Sequence, residues 1–213
     1  MERFVENIDG VDYECLTLSQ KELEINHVST TKKEVMIPDY IRGYAVERIG
    51  GNAFAKSDIE KVILPETLRI IGFRAFYKCR NLKNITFPKL LDRISTEAFS
   101  CCDSLQSVTL HSNICFETGI FANCKSLHTA KIESGLCLPS GTFENCPLKK
   151  LYLPNTMSMI INSALDGVPK TLKIYSENKA IKKWIKDNGF NAEKVSDLNV
   201  FLSNINEPSI GPK

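Results

Sequence analysis

The stretch "IGGNAFAKSDIEKVILPETLRIIGFRAFYKC", residues 49–79, decides the fold because it holds one sequence unit and the start of the next copy. Ile49 and Phe54 of the first unit reappear as Ile71 and Phe76 of the second. The phenylalanine recurs along the chain at steps of 22 or 23 residues, at Phe54, Phe76, Phe99, Phe121 and Phe143, with Leu165 in the sixth place. A fixed period of this length indicates a repeat protein.

Further apolar columns repeat with the phenylalanines. Five positions before each lies an apolar residue: Ile49, Ile71, Ile94, Phe116, Leu138 and Ile160. After each phenylalanine comes an apolar-x-x-apolar-x-apolar frame whose last two positions alternate as in a half-buried strand. A unit this short cannot close its own core, so copies must stack. We therefore predict an α/β, β-rich solenoid over residues 35–175, with about six repeats of 22–23 residues and short helical turns.

The cysteine pattern predicts core packing rather than chemistry. Four of the eight cysteines lie three residues after a repeat phenylalanine: Cys79, Cys102, Cys124 and Cys146. The same slot holds Ser57 in the first unit and Val168 in the last, as expected of a small, buried position. Equivalent positions of parallel coils point the same way, which disfavours a disulfide, and no pair has zinc-ligand spacing. We expect only Cys101, in a column of surface residues, and Cys15, near the N-terminus, to react quickly with thiol reagents.

The two flanks of the array predict caps, because a solenoid must cover its terminal coils. Residues 1–34 are expected to form an N-terminal β-hairpin cap, with two strands within residues 11–28 around a turn at Ser19 and Gln20. Residues 176–195 are expected to form a capping helix that begins at Ser176 and ends near Gly189. Its Trp184 is interpreted as a plug on the last coil. Residues 196–213 are expected to be a weakly ordered tail.

The repeats, quoted from "IGGNAFAKSDIEKVILPETLRIIGFRAFYKC" through "STEAFSCCDSLQSVTL" to "GIFANCKSLHTAKI", resemble the BspA-type leucine-rich repeat. The lead-in "EVMIPDYIRGYAVERIGGNAF", residues 34–54, resembles the usual opening of such arrays. The resemblance implies a cell-surface or secreted protein that binds host or bacterial partners. The start, "MERFVENIDG", lacks the basic-then-apolar pattern of a signal peptide, so a cytoplasmic location is the alternative.

Composition and motifs narrow the classes of function. A formal charge of +2 does not predict attraction to nucleic acid, and there is no arginine stripe with interleaved aromatic residues. No apolar run reaches the roughly 18 residues of a transmembrane helix. No phosphate-binding loop, nucleophile elbow or paired-histidine motif occurs, so we predict neither an enzyme nor a cofactor or metal site. We expect a monomer.

The outward strand positions predict the binding surface. One outward column reads Ile63, Thr86, Thr109, Lys131, Tyr152 and Lys173, and the neighbouring column reads Lys61, Asn84, Ser107, Thr129, Lys150 and Thr171. The last three coils therefore gather Lys131, Lys150, Tyr152 and Lys173, which we predict to bind a protein partner in a non-catalytic interaction or adhesion module. Binding of an acidic glycan to the same surface is the alternative. A third reading is that the lysines only keep an exposed sheet soluble.

Overall fold

The computed structural model describes residues 1–111 and 114–193. The chain winds into stacked coils, and each regular coil contributes a strand to each of two sides and a tight turn to the third. The strands are β1 (Arg3–Ile8), β2 (Val11–Thr17), β3 (Glu22–Ser29), β4 (Glu34–Met36), β5 (Tyr40–Ile41), β6 (Tyr44–Ile49), β7 (Lys61–Ile63), β8 (Ile70–Ile71), β9 (Arg93–Ile94), β10 (Ser107–Leu110), β11 (Cys115–Phe116), β12 (Thr129–Ile132), β13 (Cys137–Leu138), β14 (Lys150–Tyr152), β15 (Met159–Ile160), β16 (Lys173–Tyr175) and β17 (Asn191–Glu193).

Parallel pairing between equivalent strands joins most successive coils of the array. On the first side the order is β1-β2-β3-β6-β8-β9-β11, with β5 also on β6, and the pair β13-β15 follows separately. The second side consists of the pair β4-β7 and the sheet β10-β12-β14-β16-β17. Between these two groups only Asn84 forms a bridge, to Lys61, so this coil has no strand here, although its frame of Leu82, Ile85 and Phe87 follows the repeat.

The solenoid is longer than the predicted six repeats. Within the described residues the second side has eight successive positions, seven strands and the bridge at Asn84, so the array has about eight turns. The coils that contain β4 and β17 carry neither the phenylalanine nor the cysteine of the repeat. The sequence analysis treated the β4 coil as the opening of the array and did not predict the β17 coil, although both pair with their neighbours in the same way.

The predicted short helical turns are wrong for most coils. Across the described part of the chain the helical elements are one 3₁₀-helix (Asn162–Leu165) and one α-helix, α1 (Lys179–Asp187). In the other repeats two residues four positions apart have positive φ, for example Arg74 (φ 53°) and Lys78 (φ 60°). A right-handed helix cannot contain such residues, so the segment around each phenylalanine forms consecutive tight turns instead.

The turn side has its own ladder of hydrogen bonds and stacked rings. The backbone N–H of Phe54 donates to the Ala75 carbonyl at 2.8 Å, and that of Phe76 donates to the Ala98 carbonyl at 2.8 Å. The buried rings stack in consecutive pairs, with centroid separations of 4.8, 5.0, 5.6 and 5.8 Å from Phe54 to Phe143. The predicted inward phenylalanine column is therefore confirmed, and the chain is hydrogen-bonded between coils on all three sides.

The predicted cysteine column is also confirmed. Cys79, Cys102, Cys124 and Cys146 are all buried and free. Each Sγ donates to the carbonyl of the phenylalanine one coil earlier, as from Cys79 to Phe54 at 3.0 Å and from Cys102 to Phe76 at 3.3 Å. Burial raises the pKa of the Cys79 thiol to about 12, and that of Cys102 well above its ordinary value. The slot favours cysteine because it needs a small apolar group with a weak donor.

The first side is interrupted between β11 and β13. In the flanking coils the amides of Glu117 and Ile161 donate across this side at 3.0 Å, but the equivalent residue is Pro139, which has no N–H. Ladder pairing is absent between β11 and β13 in the described structure, and an apolar cavity of about 520 Å³ lies there. Cys115 is exposed at its rim, and Cys137 is half-buried.

The expectation for reactive thiols needs correction. Cys15 is only 2% exposed because its strand is central in the β1-β2-β3 segment, and burial raises its pKa to about 11. Cys101 is half-buried and has positive φ (60°), a conformation that suits the asparagines and the glycine at the equivalent positions Asn123, Asn145 and Gly167. The exposed thiol is Cys115, which the sequence analysis did not single out.

The flanking segments contain the two strands and the helix that were expected there, with two differences. Strands β2 and β3 pair antiparallel across the turn at residues 18–21, and β1 adds an unpredicted third strand. Helix α1 is capped by Asn178, whose side chain accepts from the amides of Ala180 and Ile181 at 2.8 and 3.3 Å, not by Ser176. Ser176 is instead buried. The predicted tail, residues 196–213, lies outside the described residues.

Candidate interaction surface

The strand register places most of the predicted surface residues together on the second side. One outward column runs through Thr109, Lys131, Tyr152 and Tyr175, on successive strands from β10 to β16. The neighbouring column, two residues earlier in each strand, runs through Ser107, Thr129, Lys150 and Lys173. The two columns lie on one face because alternate residues of a strand point the same way.

Lys173 does not occupy its predicted column. It pairs with Lys150, and Tyr175 takes the place beside Tyr152 that was predicted for Lys173. The prediction assumed the 21-residue step that separates Lys131 from Tyr152, whereas the next step is 23 residues. The segment before β14 is one residue shorter than the segments before β12 and β16, since Lys150 follows Cys146 by four residues whereas Lys173 follows Val168 by five. In the turn before β16 the Leu172 amide donates to the Pro169 carbonyl at 3.0 Å.

Lys131 is part of an ionic cluster at one edge of the surface. Its side chain is 16% exposed, and its Nζ lies 2.6 Å from Glu133 Oε1. The other oxygen of this carboxylate, Oε2, lies 2.8 Å from His111 Nδ1. Partial burial raises the pKa of the Glu133 carboxyl, but the hydrogen bonds from Lys131 and His111 outweigh it, and the pKa is lowered. Glu133 is thus a carboxylate shared by two basic side chains.

The two tyrosines form the apolar centre of the surface. The rings of Tyr152 and Tyr175 stack with centroids 4.5 Å apart and an interplanar angle of 18°. Tyr152 is 4% exposed and Tyr175 is 8% exposed, although both lie on the outward face. The rings therefore lie against the sheet and neighbouring side chains, and they leave little apolar area exposed on this face.

A small cavity opens beside the stacked rings. Its volume is about 280 Å³, and it is lined by Lys131, Ile132, Glu133, Tyr152, Leu153, Pro154 and Tyr175. Lys150 and Lys173 lie on the other side of the ring pair as cross-strand neighbours, and Lys173 Nζ is 3.1 Å from Glu193 Oε1. We refer to the cavity, the two rings and the three lysines as the tyrosine-lysine surface.

The surface differs from the predicted one in Tyr175 and in the two glutamates. The sequence analysis missed Tyr175 because the number of residues between equivalent positions changes at this coil, although the surrounding sequence, "LKIYS", alternates as in a strand. Glu133 and Glu193 end the strands or lie just beyond them, where a repeat frame makes no prediction. Their contacts with Lys131 and Lys173 reduce the positive charge that the sequence suggested.

Metal-binding clusters of His, Cys, Asp and Glu and membrane-spanning helices are both missing from the described residues. Within residues 1–111 and 114–193, no group of three or more His, Cys, Asp or Glu side chains is arranged to hold a metal ion. In the same ranges, no helix has the length and apolar character needed to span a bilayer.

A solenoid of short stacked coils with parallel strands and an inward apolar column defines a leucine-rich-repeat protein. The model of the BspA-type leucine-rich-repeat region matches residues 47–171 in six copies. The chain therefore belongs to the BspA-type leucine-rich-repeat family. The comparison with curated proteins finds no match to this chain.

Solved structures of bacterial proteins share the fold at low identity. The Treponema pallidum leucine-rich-repeat protein TpLRR has a TM-score of 0.63 and 21% identity, over 85% of this chain and 95% of the other. The pneumococcal vaccine antigen PcpA has a TM-score of 0.67 and 20% identity, over 88% and 47%. A leucine-rich cell surface protein from Faecalibacterium prausnitzii has a TM-score of 0.57 and 20% identity, over 84% and 56%.

Proposed function

We propose that this protein is a non-catalytic interaction module that binds a protein partner through the tyrosine-lysine surface. The observation that supports the proposal best is the register of β12, β14 and β16, which assembles aromatic and cationic groups from three coils on one face. Aromatic residues are enriched in protein interfaces, and polar and charged groups form the rim of such interfaces. The family also favours an interaction role, because repeat arrays present extended rows of side chains.

A cell-surface adhesion role is the more specific form of the proposal. It is supported by similarity to a bacterial protein described as a leucine-rich cell surface protein, and it adds no residue to the site. The partner would then be a host or bacterial surface protein. A protein partner is favoured over an acidic glycan because Glu133 and Glu193 already pair with Lys131 and Lys173, and a polyanion would have to compete with both carboxylates.

We also propose that the flanking segments close the ends of the array. The β1-β2-β3 segment joins the first coil through parallel pairing of β3 with β6. Helix α1 packs next to β15 and β17 and buries Ile181 and Ile185, while Trp184 stacks on Phe190 with centroids 5.9 Å apart. Terminal coils expose an apolar face that needs such a cover.

The proposal is tested by screening the protein against arrays of cell-surface and extracellular-matrix proteins and, in parallel, arrays of acidic glycans. Each hit is repeated with Lys150→Glu/Lys173→Glu, which reverses two neighbouring charges on the surface without breaking the Lys131–Glu133 contact. The matched control is Lys56→Glu/Lys78→Glu, which makes the same charge change in one column of the turn side. We expect saturable protein binding that the first variant loses and the control keeps. Binding to glycans alone, or equal loss in both variants, would refute the proposal.

A further inference from the structure

The outward column on the first side of the solenoid carries sulfur in three successive coils. Strand register and the repeat period give this column as Arg48, Ile70, Arg93, Cys115, Cys137 and Met159, with one residue per coil. Cys115 is exposed, Cys137 is half-buried, and the Met159 side chain is 53% exposed. Two thiols and a thioether therefore follow one another along one face.

Core packing does not account for these two cysteines. The four repeat cysteines occupy the inward slot after each phenylalanine, whereas Cys115 and Cys137 each precede the inward residue of their strand, Phe116 and Leu138. Side chains of adjacent strand residues point to opposite faces, so both thiols point away from the core. Free cysteine is among the most buried residue types, which makes an outward pair in neighbouring coils unusual.

The geometry brings the three sulfur atoms close together. Cys137 and Met159 are partners in the parallel pair β13-β15, so their Cα atoms lie roughly 4.8 Å apart. Cys115 and Cys137 line the same cavity of about 520 Å³. The gap at this cavity is local, because β10 pairs with β12 before it and the Gly119 amide donates to the Ser140 carbonyl at 3.0 Å after it. Side chains that point the same way suit a shared ion better than a disulfide.

The donor set favours a soft metal ion. Thiolates and thioethers select soft ions such as Cu(I), whereas Mg²⁺ and Ca²⁺ require oxygen ligands. Among the described residues that line the cavity, none has a carboxylate or an imidazole, and the only side-chain oxygen is that of Thr156. Structural zinc takes four ligands, and this column offers three sulfur atoms.

We propose that Cys115, Cys137 and Met159 form a binding site for Cu(I). The two thiols lose their protons and coordinate the ion as thiolates, and the Met159 thioether is the third ligand. The site consists of two cysteines and a methionine, so it differs from the clusters of His, Cys, Asp and Glu that the described residues lack. It lies on the first side of the solenoid and does not depend on the proposed function.

The test is an anaerobic titration of the full chain with Cu(I), in competition with the chromogenic chelator bicinchoninate. We expect one Cu(I) per chain. Cys115→Ser and Cys137→Ser should each weaken binding more than about a hundredfold, because loss of an outer-shell partner alone typically costs roughly 10–100-fold. Met159→Leu should weaken binding about tenfold. The matched control is Cys101→Ser, which removes a half-buried thiol from the turn side and should leave the affinity unchanged.

Two further measurements separate loss of the site from loss of the fold. Thermal melts followed by circular dichroism should be the same for the serine variants and the wild type, because both thiols point outward. In the wild type, bound Cu(I) should protect Cys115 from iodoacetamide. Cu(I) binding that survives both serine substitutions, equal loss in Cys101→Ser, or no binding in competition with the chelator would overturn the proposal. Tighter binding of Zn(II) than of Cu(I) at these thiols would refute the choice of ion.

Discussion

The stacked phenylalanine column should stabilise the array in proportion to the number of ring contacts. Phe99 stacks on Phe76 at 5.0 Å and on Phe121 at 5.6 Å, and it meets Phe87 edge-on at 5.6 Å. Phe54, at the start of the column, stacks on Phe76 at 4.8 Å. Both rings are buried, at 0% and 1% exposure. Leucine fits this position, because Leu165 occupies it in the sixth repeat.

Two matched substitutions isolate the ring contacts. Phe99→Leu removes three aromatic pairs and Phe54→Leu removes one, and each pair contributes about 0.5–1.5 kcal/mol beyond area burial. The change in buried volume is the same in both variants, so the difference between them is about 1–3 kcal/mol. With a urea m value of about 2 kcal/mol/M, the Phe99→Leu midpoint should fall about 0.5–1.5 M below that of Phe54→Leu. Unfolding is followed by far-ultraviolet circular dichroism. Equal midpoints would refute the stacking argument.

Three further predictions concern the cysteines and the turns. Iodoacetamide at neutral pH should label the exposed Cys115 rapidly in the native protein and leave Cys79 unmodified, and rapid modification of Cys79 would contradict the buried column. Because burial raises the pKa of Cys79 from 9.0 to about 12, the folded state keeps a proton that the unfolded state loses; this stabilisation is complete below pH 9 and is lost as the pH rises to about 12. Between pH 8 and 11 the free energy of unfolding, measured by urea titration at each pH, should fall by about 2–3 kcal/mol more in the wild type than in Cys79→Ser. The same pH dependence in both proteins would contradict this. Cys101→Gly should raise the free energy of unfolding by about 1 kcal/mol, because Cys101 has positive φ and glycine adopts it without strain. Gly167→Ala should lower it by at least about 1 kcal/mol, because Gly167 also has positive φ (70°). Thermal melts that shift in the same direction for both variants would be inconsistent with the turn geometry.

The interior of the array could be predicted from sequence because each inward column holds residues of similar size or polarity at steps of 22 or 23 residues. Phe54 to Phe143 and Cys79 to Cys146 are buried in the structure as the period requires. The turn conformation could not be predicted in the same way. The residues with positive φ include Arg74, Lys78 and Cys101, which do not favour it intrinsically, so hydrogen bonding between coils overrides local preference.

Irregular coils limited the prediction of the surface. The gap at Pro139 had a signal, since a proline stands where the flanking coils have Glu117 and Ile161, which donate to the coil before them. The position of Lys173 had a weaker signal, because Lys173 follows Val168 by five residues whereas its partner Lys150 follows the equivalent Cys146 by four. Inward columns tolerate such changes because apolar contacts are not directional. Outward columns do not, since a two-residue slip replaces one side chain by another.

The most direct test of the proposed interface is a lysine footprint of the complex with the protein partner identified in the binding screen. The free and the partner-saturated protein are acetylated briefly with an N-hydroxysuccinimide ester, and the modification of each lysine is measured by mass spectrometry. We predict that the partner protects Lys150 and Lys173 and leaves Lys56 and Lys78 as reactive as in the free protein. Protection of Lys56 and Lys78 without protection of Lys150 and Lys173 would place the interface on the turn side and contradict the central claim.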